Sequence, residues 1–117
     1  MTYIIEACVE SLEQACIAEK NGADRIELCA DLDVEGLTPS RELILSVKSH
    51  LNIPIRVMIR PRAGDFAYSN AEIKQMASDI AFCKEVGVDG VVLGILKEDK
   101  TIDIDAVEKL AEIGKPL

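Results

Sequence analysis

Two short segments of this chain alternate apolar with mostly polar or charged residues, and this alternation restricts the fold more than any other feature. The segments, residues 25–29 and 55–60, have the period of two that is typical of β-strands whose faces meet different surroundings, and residues 3–8 predict a further strand before them. One face of these predicted strands is aliphatic. The other carries Glu6, Cys8, Arg25, Glu27, Cys29, Arg56, Met58 and Arg60. Because a helix packed on that second face would bury charged groups without partners, we expect helices on one face only.

Each predicted strand is followed by a helical segment with recognisable start signals. Ser11 and Ser69 stand at candidate N-cap positions, and Thr38-Pro39 predicts a cap followed by proline in the first helical turn. A short apolar run at residues 91–93 predicts a fourth strand. Four strands that alternate with four helices predict a parallel sheet, because each return to the same sheet edge needs a crossover.

The chain also contains an internal repeat. Residues 19–26 resemble residues 84–91, and each segment passes from a helix end through a Gly-x-Asp turn into a strand. The two copies lie two β/α units apart, as a cyclic array of such units allows. We assign Asp24 and Asp89 to these turns and give them no further role.

Two architectures contain parallel sheets of this kind. In a doubly wound sheet, helices cover both faces and the central strands are apolar throughout. The charged face therefore favours a TIM (β/α)8 barrel, which needs eight strands and about 250 residues. This chain has 117 residues, so we predict one domain over residues 1–117 that forms a half barrel of four β/α units. Its first and fourth strands would have free edges, which predicts a homo-oligomer that pairs through them.

Composition and charge restrict the partners of such a domain. A net charge of -8 argues against nucleic acid or an anionic membrane as a partner, because both would repel the chain. The N-terminus lacks the basic and apolar regions of a secretion signal, and no apolar stretch is long enough to span a bilayer. We therefore expect a cytoplasmic protein.

The four cysteines are expected to be reduced thiols in that compartment. None of them has the CxxC spacing of a structural zinc site. Cys16 and Cys83 lie on the apolar sides of predicted helices, so we expect both to be small core residues.

Three motifs carry a family resemblance: Arg-Ile-Glu-Leu-Cys at residues 25–29, Gly-Leu-Thr-Pro-Ser at 36–40, and Arg-Pro-Arg-Ala-Gly-Asp-Phe-Ala-Tyr at 60–68. The chain resembles, over essentially its whole length, the N-terminal half of the CutC family, usually described as copper homeostasis proteins. Glu35 departs from the family pattern, which commonly has a second glycine there. The resemblance implies a TIM barrel, a cytoplasmic location and a role in copper handling.

One functional hypothesis is a Cu(I) site at Cys8 and Cys29, with Met58 as a further sulfur ligand. Cu(I) prefers thiolate and thioether ligands, and these residues end adjacent predicted strands on one face. The alternative for the same residues is two reduced cysteines packed in the barrel without any metal.

A second hypothesis is an enzyme of unknown reaction that acts on a small anionic substrate. Glu6 and Glu27 are the candidate catalytic carboxylates, and Arg60, Arg62 and Asp65 are the candidate substrate-binding residues. The alternative is that these charges form structural ion pairs, and whether the chain is an enzyme stays open.

Overall fold

The computed structural model describes residues 3–117, which form four β/α units in chain order. Its elements are β1 Glu6–Val9, α1 Leu12–Lys20, β2 Arg25–Leu28, α2 Arg41–His50, β3 Ile55–Met58, α3 Asn70–Val86, β4 Gly90–Val92 and α4 Ile104–Gly114. The strands form one parallel sheet in the order β1-β2-β3-β4. The predicted parallel α/β fold is confirmed.

The core lies between one face of this sheet and the helices. In and just after β3, Ile55, Val57 and Ile59 are at most 1% exposed, whereas Arg56 and Met58 between them point to the other face and are partly exposed. Burying one such aliphatic side chain contributes about 1.5–3 kcal/mol, so the apolar face of the strands fixes the side on which the helices pack. Within the described residues, no helix combines the length and the apolar character needed to cross a membrane.

Two of the predicted helix caps are confirmed. The Ser11 hydroxyl accepts a hydrogen bond from the Gln14 backbone N–H, at 3.1 Å, at the start of α1. At the start of α3 the Ser69 hydroxyl accepts from the Glu72 N–H, at 3.2 Å, while the Glu72 carboxylate accepts from the Ser69 N–H, at 2.8 Å. These bonds satisfy N–H groups that have no partner inside the helix.

The predicted start of α2 is wrong by two residues. The cap is Ser40, whose hydroxyl accepts from the Leu43 N–H, and the helix begins at Arg41 rather than at Pro39. Thr38 is instead paired with Arg60: its N–H donates to the Arg60 carbonyl at 3.0 Å, and its hydroxyl accepts from the Arg60 N–H at 2.8 Å. This long-range pairing outweighs the local capping signal.

The first strand is shorter at its start than the predicted range of residues 3–8. Pairing with β2 begins where Glu6 stands opposite Arg25. Tyr3, Ile4 and Ile5 precede that register and are 73%, 62% and 51% exposed. Because β1 has a neighbouring strand on one side only, these apolar residues lack a surface to cover them.

The internal repeat has a structural basis that the sequence analysis missed. The Asp24 carboxylate accepts a hydrogen bond from the Ile5 N–H, and the Asp89 carboxylate accepts one from the Ile55 N–H, both at 2.8 Å. Each aspartate therefore joins the start of its own strand to the start of the preceding one. Both residues do more than shape a turn.

Cys16 is exposed, so its prediction as a core residue is wrong. Ala15 holds the buried position of α1, and Ile17, which follows Cys16, is 53% exposed. The buried stripe of α1 is narrow because this helix has a neighbouring helix, α2, on one side only. Cys83 is fully buried in α3, as predicted.

We expect the chain to associate through the free edges of β1 and β4, because an open parallel sheet leaves backbone donors and acceptors unpaired. Light scattering after gel filtration should then give about twice the 12.8 kDa of one chain. Ile5→Lys places a charge at the exposed edge and should shift the mass to that of a monomer. Leu45→Lys in α2 is the matched control, because Leu45 has the same 51% exposure as Ile5 but lies away from both edges. An unchanged mass in Ile5→Lys would contradict this mode of association.

Candidate functional site

The two cysteines predicted to bind copper both contact one carboxylate. Cys8 stands opposite Glu27 in the register of β1 and β2, and Cys29 follows Glu27 by two residues on the same face. The Cys8 Sγ atom lies 3.8 Å from Glu27 Oε2, and the Cys29 Sγ atom lies 3.9 Å from Glu27 Oε1. The structure therefore brings Cys8, Glu27 and Cys29 together at the C-terminal ends of β1 and β2.

This arrangement disfavours negative charge on all three groups. Burial raises the pKa of Glu27, and the nearby charge of Glu6 raises it further. Burial and the Glu27 charge raise the pKa of Cys8, and the same two causes raise the pKa of Cys29 to about 12. Both sulfurs are therefore protonated thiols at neutral pH unless a cation displaces their protons.

The other candidate carboxylate, Glu6, is paired. Its Oε2 atom accepts from Arg25 Nε at 2.6 Å, which makes this pair one of the structural ion pairs considered from the sequence. Within residues 3–117, Glu27 has no basic side chain within ion-pair distance. Glu27 is therefore the candidate catalytic carboxylate without an ion-pair partner, and burial and the nearby charge of Glu6 raise its pKa.

Met58 lies close to Cys29, with Gly36 against both. A Cβ atom added to Gly36 would stand 3.3 Å from Cys29 Sγ and 3.7 Å from Met58 Cε. Gly36 has φ +96°, which side chains other than glycine rarely adopt. The sequence signal for this contact was the glycine before Leu37, which the sequence analysis used only as part of a motif.

Arg60 is 5% exposed and binds the protein's own backbone. Its Nη1 atom donates to the carbonyls of Val34 and Gly36, at 2.7 and 3.1 Å, and its Nη2 atom donates to the Gly64 carbonyl, at 3.0 Å. The Phe66 ring lies 5.0 Å from the guanidinium carbon. Arg60 therefore ties the loop after β2 to the loop after β3.

The remaining two substrate-binding candidates, Arg62 and Asp65, bind each other. Arg62 Nη2 donates to Asp65 Oδ1 at 3.1 Å and to the Ala67 carbonyl at 2.8 Å, while Nε donates to Glu72 Oε2 at 2.5 Å. These contacts fold residues 61–68 onto the start of α3. Their predicted role in substrate binding would require Arg62 to give up part of this network.

A further bond joins the loop after β1 to the loop after β2. The Glu10 carboxylate accepts from the Leu32 N–H at 2.9 Å, just before the turn whose carbonyls bind Arg60. The rim of the sheet is thus connected from β1 to β3 by hydrogen bonds between its own loops.

The donor atoms fit a soft metal of low coordination number. In the part of the chain that the structure describes, no cluster of three or more His, Cys, Asp or Glu residues has the arrangement of a metal site. Two thiols with a thioether nearby match the ligand preference of Cu(I), whereas a structural zinc site needs four ligands.

Comparison with known proteins identifies the family. A sequence profile of the CutC family matches residues 3–117. The chain belongs to the CutC family. A human copper homeostasis protein cutC homolog is 49% identical over 115 residues, and a CutC family protein of Pasteurella multocida is 46% identical over 113 residues. This CutC chain spans less than half the length of those relatives, since the matches cover 42% and 46% of them but 98% and 97% of the chain.

Solved structures place this CutC chain in a partial TIM barrel. The crystal structure of CutC from Streptococcus agalactiae is similar with a TM-score of 0.93 and 37% identity, over 99% of this chain and 57% of that one. The structure of wild-type GGGPS from Thermoplasma volcanium, at 19% identity and a TM-score of 0.51, shares the fold alone. The predicted TIM-barrel class is confirmed, with four of its β/α units present among the described residues.

We expect the cysteines of this CutC chain to differ sharply in their reaction with iodoacetamide at pH 8. Exposed Cys16 should react fast, whereas Cys29 should be spared, because a pKa of about 12 instead of 9.0 leaves about a thousandfold less thiolate. Peptide mass spectrometry after timed labelling measures both rates. Glu27→Gln should accelerate the labelling of Cys29, because it removes a charge that raises the thiol pKa. Equal labelling rates for Cys16 and Cys29 in the folded chain would contradict the burial and the raised pKa of the Cys29 thiol.

Proposed function

We propose that this chain is a cytoplasmic copper homeostasis protein of the CutC type that binds Cu(I) through Cys8 and Cys29. The observation that carries the proposal is the convergence of both sulfurs on the Glu27 carboxylate, at 3.8 and 3.9 Å. The name of the human relative, which is 49% identical to this chain, supports the same function. Because the chain spans less than half of that relative, the proposal concerns the part of the site that these four β/α units carry.

The surroundings of the two thiols limit the negative charge that would build up when Cu(I) binds. Both thiols must lose a proton to bind Cu(I) as thiolates, and two thiolates around one Cu(I) leave a net charge of -1. A Glu27 carboxyl with a raised pKa can take up one of those protons, which prevents a further negative charge in the same place. Met58 offers a neutral thioether beside Cys29 and adds no charge.

A competition between the protein and a Cu(I) chelator, under anaerobic and reducing conditions, tests the proposal. The wild type should withdraw one equivalent of Cu(I), and Cys8→Ser or Cys29→Ser should each weaken binding by about a hundredfold. Cys16→Ser is the matched control, because Cys16 is exposed on α1 and away from the other sulfurs, and it should bind like the wild type. If Cys29→Ser kept the wild-type affinity, or if Cys16→Ser lost as much, Cys8 and Cys29 would not form the copper site.

A further inference from the structure

An apolar groove of about 270 Å³ lies between β4 and α4, and we call it the β4/α4 groove. None of its lining residues belongs to β3 or α3, so it opens toward the free side of β4. A water molecule takes about 30 Å³ of liquid, so the groove has room for slightly more than one isoleucine residue. Its lining side chains are all apolar and belong to Val91, Leu93, Val107, Leu110, Ala111 and Leu117.

The opposite edge of the sheet carries a surface that is complementary to this groove. Residues 3–5 are apolar, precede β1 and are each more than half exposed. Because side chains alternate along a strand, Ile5 lies on the same face as Val9, which is buried against the helices. Val91 in the groove lies on that helix face too, since it pairs with buried Val57. One chain therefore has an uncovered apolar segment at one edge and an apolar groove at the other, on the same face.

The register of the sheet determines which residue of a second copy would meet the groove. Gly90, the first residue of β4, is level with Cys8, two residues beyond the start of β1, so the strands shift in one direction around the sheet. A closed (β/α)8 barrel shifts by about eight residues in total, which is about four for each half. Continuing the shift from β4 places Ile5 of a second copy opposite Val91, with its side chain toward the groove.

The charges on the other face of the sheet also permit a second copy. Within β1 to β3 that face carries two acidic and two basic side chains, those of Glu6, Glu27, Arg25 and Arg56. Glu6 is paired with Arg25 at 2.6 Å, and Glu27 stands opposite Arg56 in the register of β2 and β3. Because these charges are balanced, two such faces can enclose one interior without strong repulsion between the copies.

We propose that two copies of this chain close into one eight-stranded barrel, in which β4 of each copy pairs with β1 of the other. Two chains of 117 residues together supply about the 250 residues of such a barrel. The closure produces two identical seams, each with Ile5 of one copy in the β4/α4 groove of the other. Both copies then contribute Cys8 and Cys29 to one barrel mouth. The proposal does not depend on copper, because the seams form without a metal.

A pair of charge variants tests which edges meet. Ile5→Lys changes one side of the seam, and Ala111→Glu changes the other at an exposed position that lines the groove. Each variant alone has an unpaired charge in both seams, so light scattering at physiological ionic strength should give the 12.8 kDa of one chain. An equal mixture has one unchanged seam, while in the other seam the new lysine meets the new glutamate. We therefore expect the mixture to recover twice that mass, as the wild type has.

Glu108→Lys is the matched control, because Glu108 is exposed on α4 but does not line the groove, and it should stay dimeric. Circular dichroism checks that each variant is folded. Pairing of β1 with β1 would leave Ala111→Glu dimeric, and pairing of β4 with β4 would leave Ile5→Lys dimeric, so either result would overturn the proposal. It would also be overturned by a monomeric wild type, by a wild-type mass that grows beyond two chains with concentration, or by a mixture that stays monomeric.

Discussion

Replacing Arg60 with methionine is expected to lower the free energy of unfolding by about 3 kcal/mol, or the melting temperature by about 10 °C. Methionine has a similar length and fills the same space, but it donates no hydrogen bond. The carbonyls of Val34, Gly36 and Gly64 would each lose a charged donor, and Gly36 is itself buried. Chemical denaturation of both proteins measures the difference.

Two opposing effects decide the sign of this change. Removing the buried charge of Arg60 is favourable, and replacing buried ion pairs by apolar residues is often neutral for that reason. In this site the acceptors are backbone carbonyls, which stay in place when Arg60 is replaced. The cost of leaving these carbonyls without a donor therefore outweighs the gain from removing the buried charge. Arg41→Met is the control, since Arg41 is exposed and its nearest carboxylate oxygen, on Asp79, lies 3.9 Å away, and we expect a change below about 1 kcal/mol. A stabilised Arg60→Met variant would show that the charge, not the carbonyls, dominates.

Gly36→Ala is expected to destabilise the chain by about 2–4 kcal/mol, from two separable causes. The first is the backbone conformation at φ +96°, which costs an L-residue about 1–2 kcal/mol. The second is the contact of the new methyl group with Cys29 Sγ at 3.3 Å, which forces the buried sulfur to move. Denaturation in urea gives the total.

Gly22→Ala isolates the first cause. Gly22 has φ +97°, nearly the same as Gly36, but an added Cβ atom there meets nothing within 4 Å. The difference between the two variants therefore measures the packing against Cys29. In a Cys29→Ala background that difference should shrink by about 1 kcal/mol, because the nearest atom is gone. If Gly22→Ala and Gly36→Ala lowered the free energy of unfolding equally, the positive φ of Gly36 alone would explain the need for glycine at that position.

The sequence predicted the strand pattern well because alternation is a local property. Ile55, Val57 and Ile59 are buried as their spacing of two requires. The start of β1 was predicted too early, because it depends on the register with β2, which no local pattern encodes. The predicted start of α2 at Thr38-Pro39 failed for a similar reason. Thr38 is bonded to Arg60, which lies 22 positions away, and a local capping pattern does not reveal such a contact.

The candidate site was predictable to the extent that strand ends determine it. Cys8, Glu27 and Cys29 share a face by alternation, and the parallel register brings them together. The backbone contacts of Arg60 were not predictable, because two of its three acceptors, Val34 and Gly36, belong to a turn in which Asp31 and Glu35 have positive φ. Neither residue is a glycine, so the sequence gives little warning of that turn.

The hydrogen bonds that connect the rim from Glu10 to Gly64 have a consequence for protein engineering. Every donor and acceptor in this series belongs to the first three β/α units, so the shape of the rim does not depend on which strands follow β4. These loops should therefore keep their arrangement when the second half of the barrel is exchanged. Chimeras that join these four units to the complementary half of an unrelated TIM barrel should keep the two thiols and the Arg60 side chain in place, while the new half supplies a different chemistry across the barrel mouth.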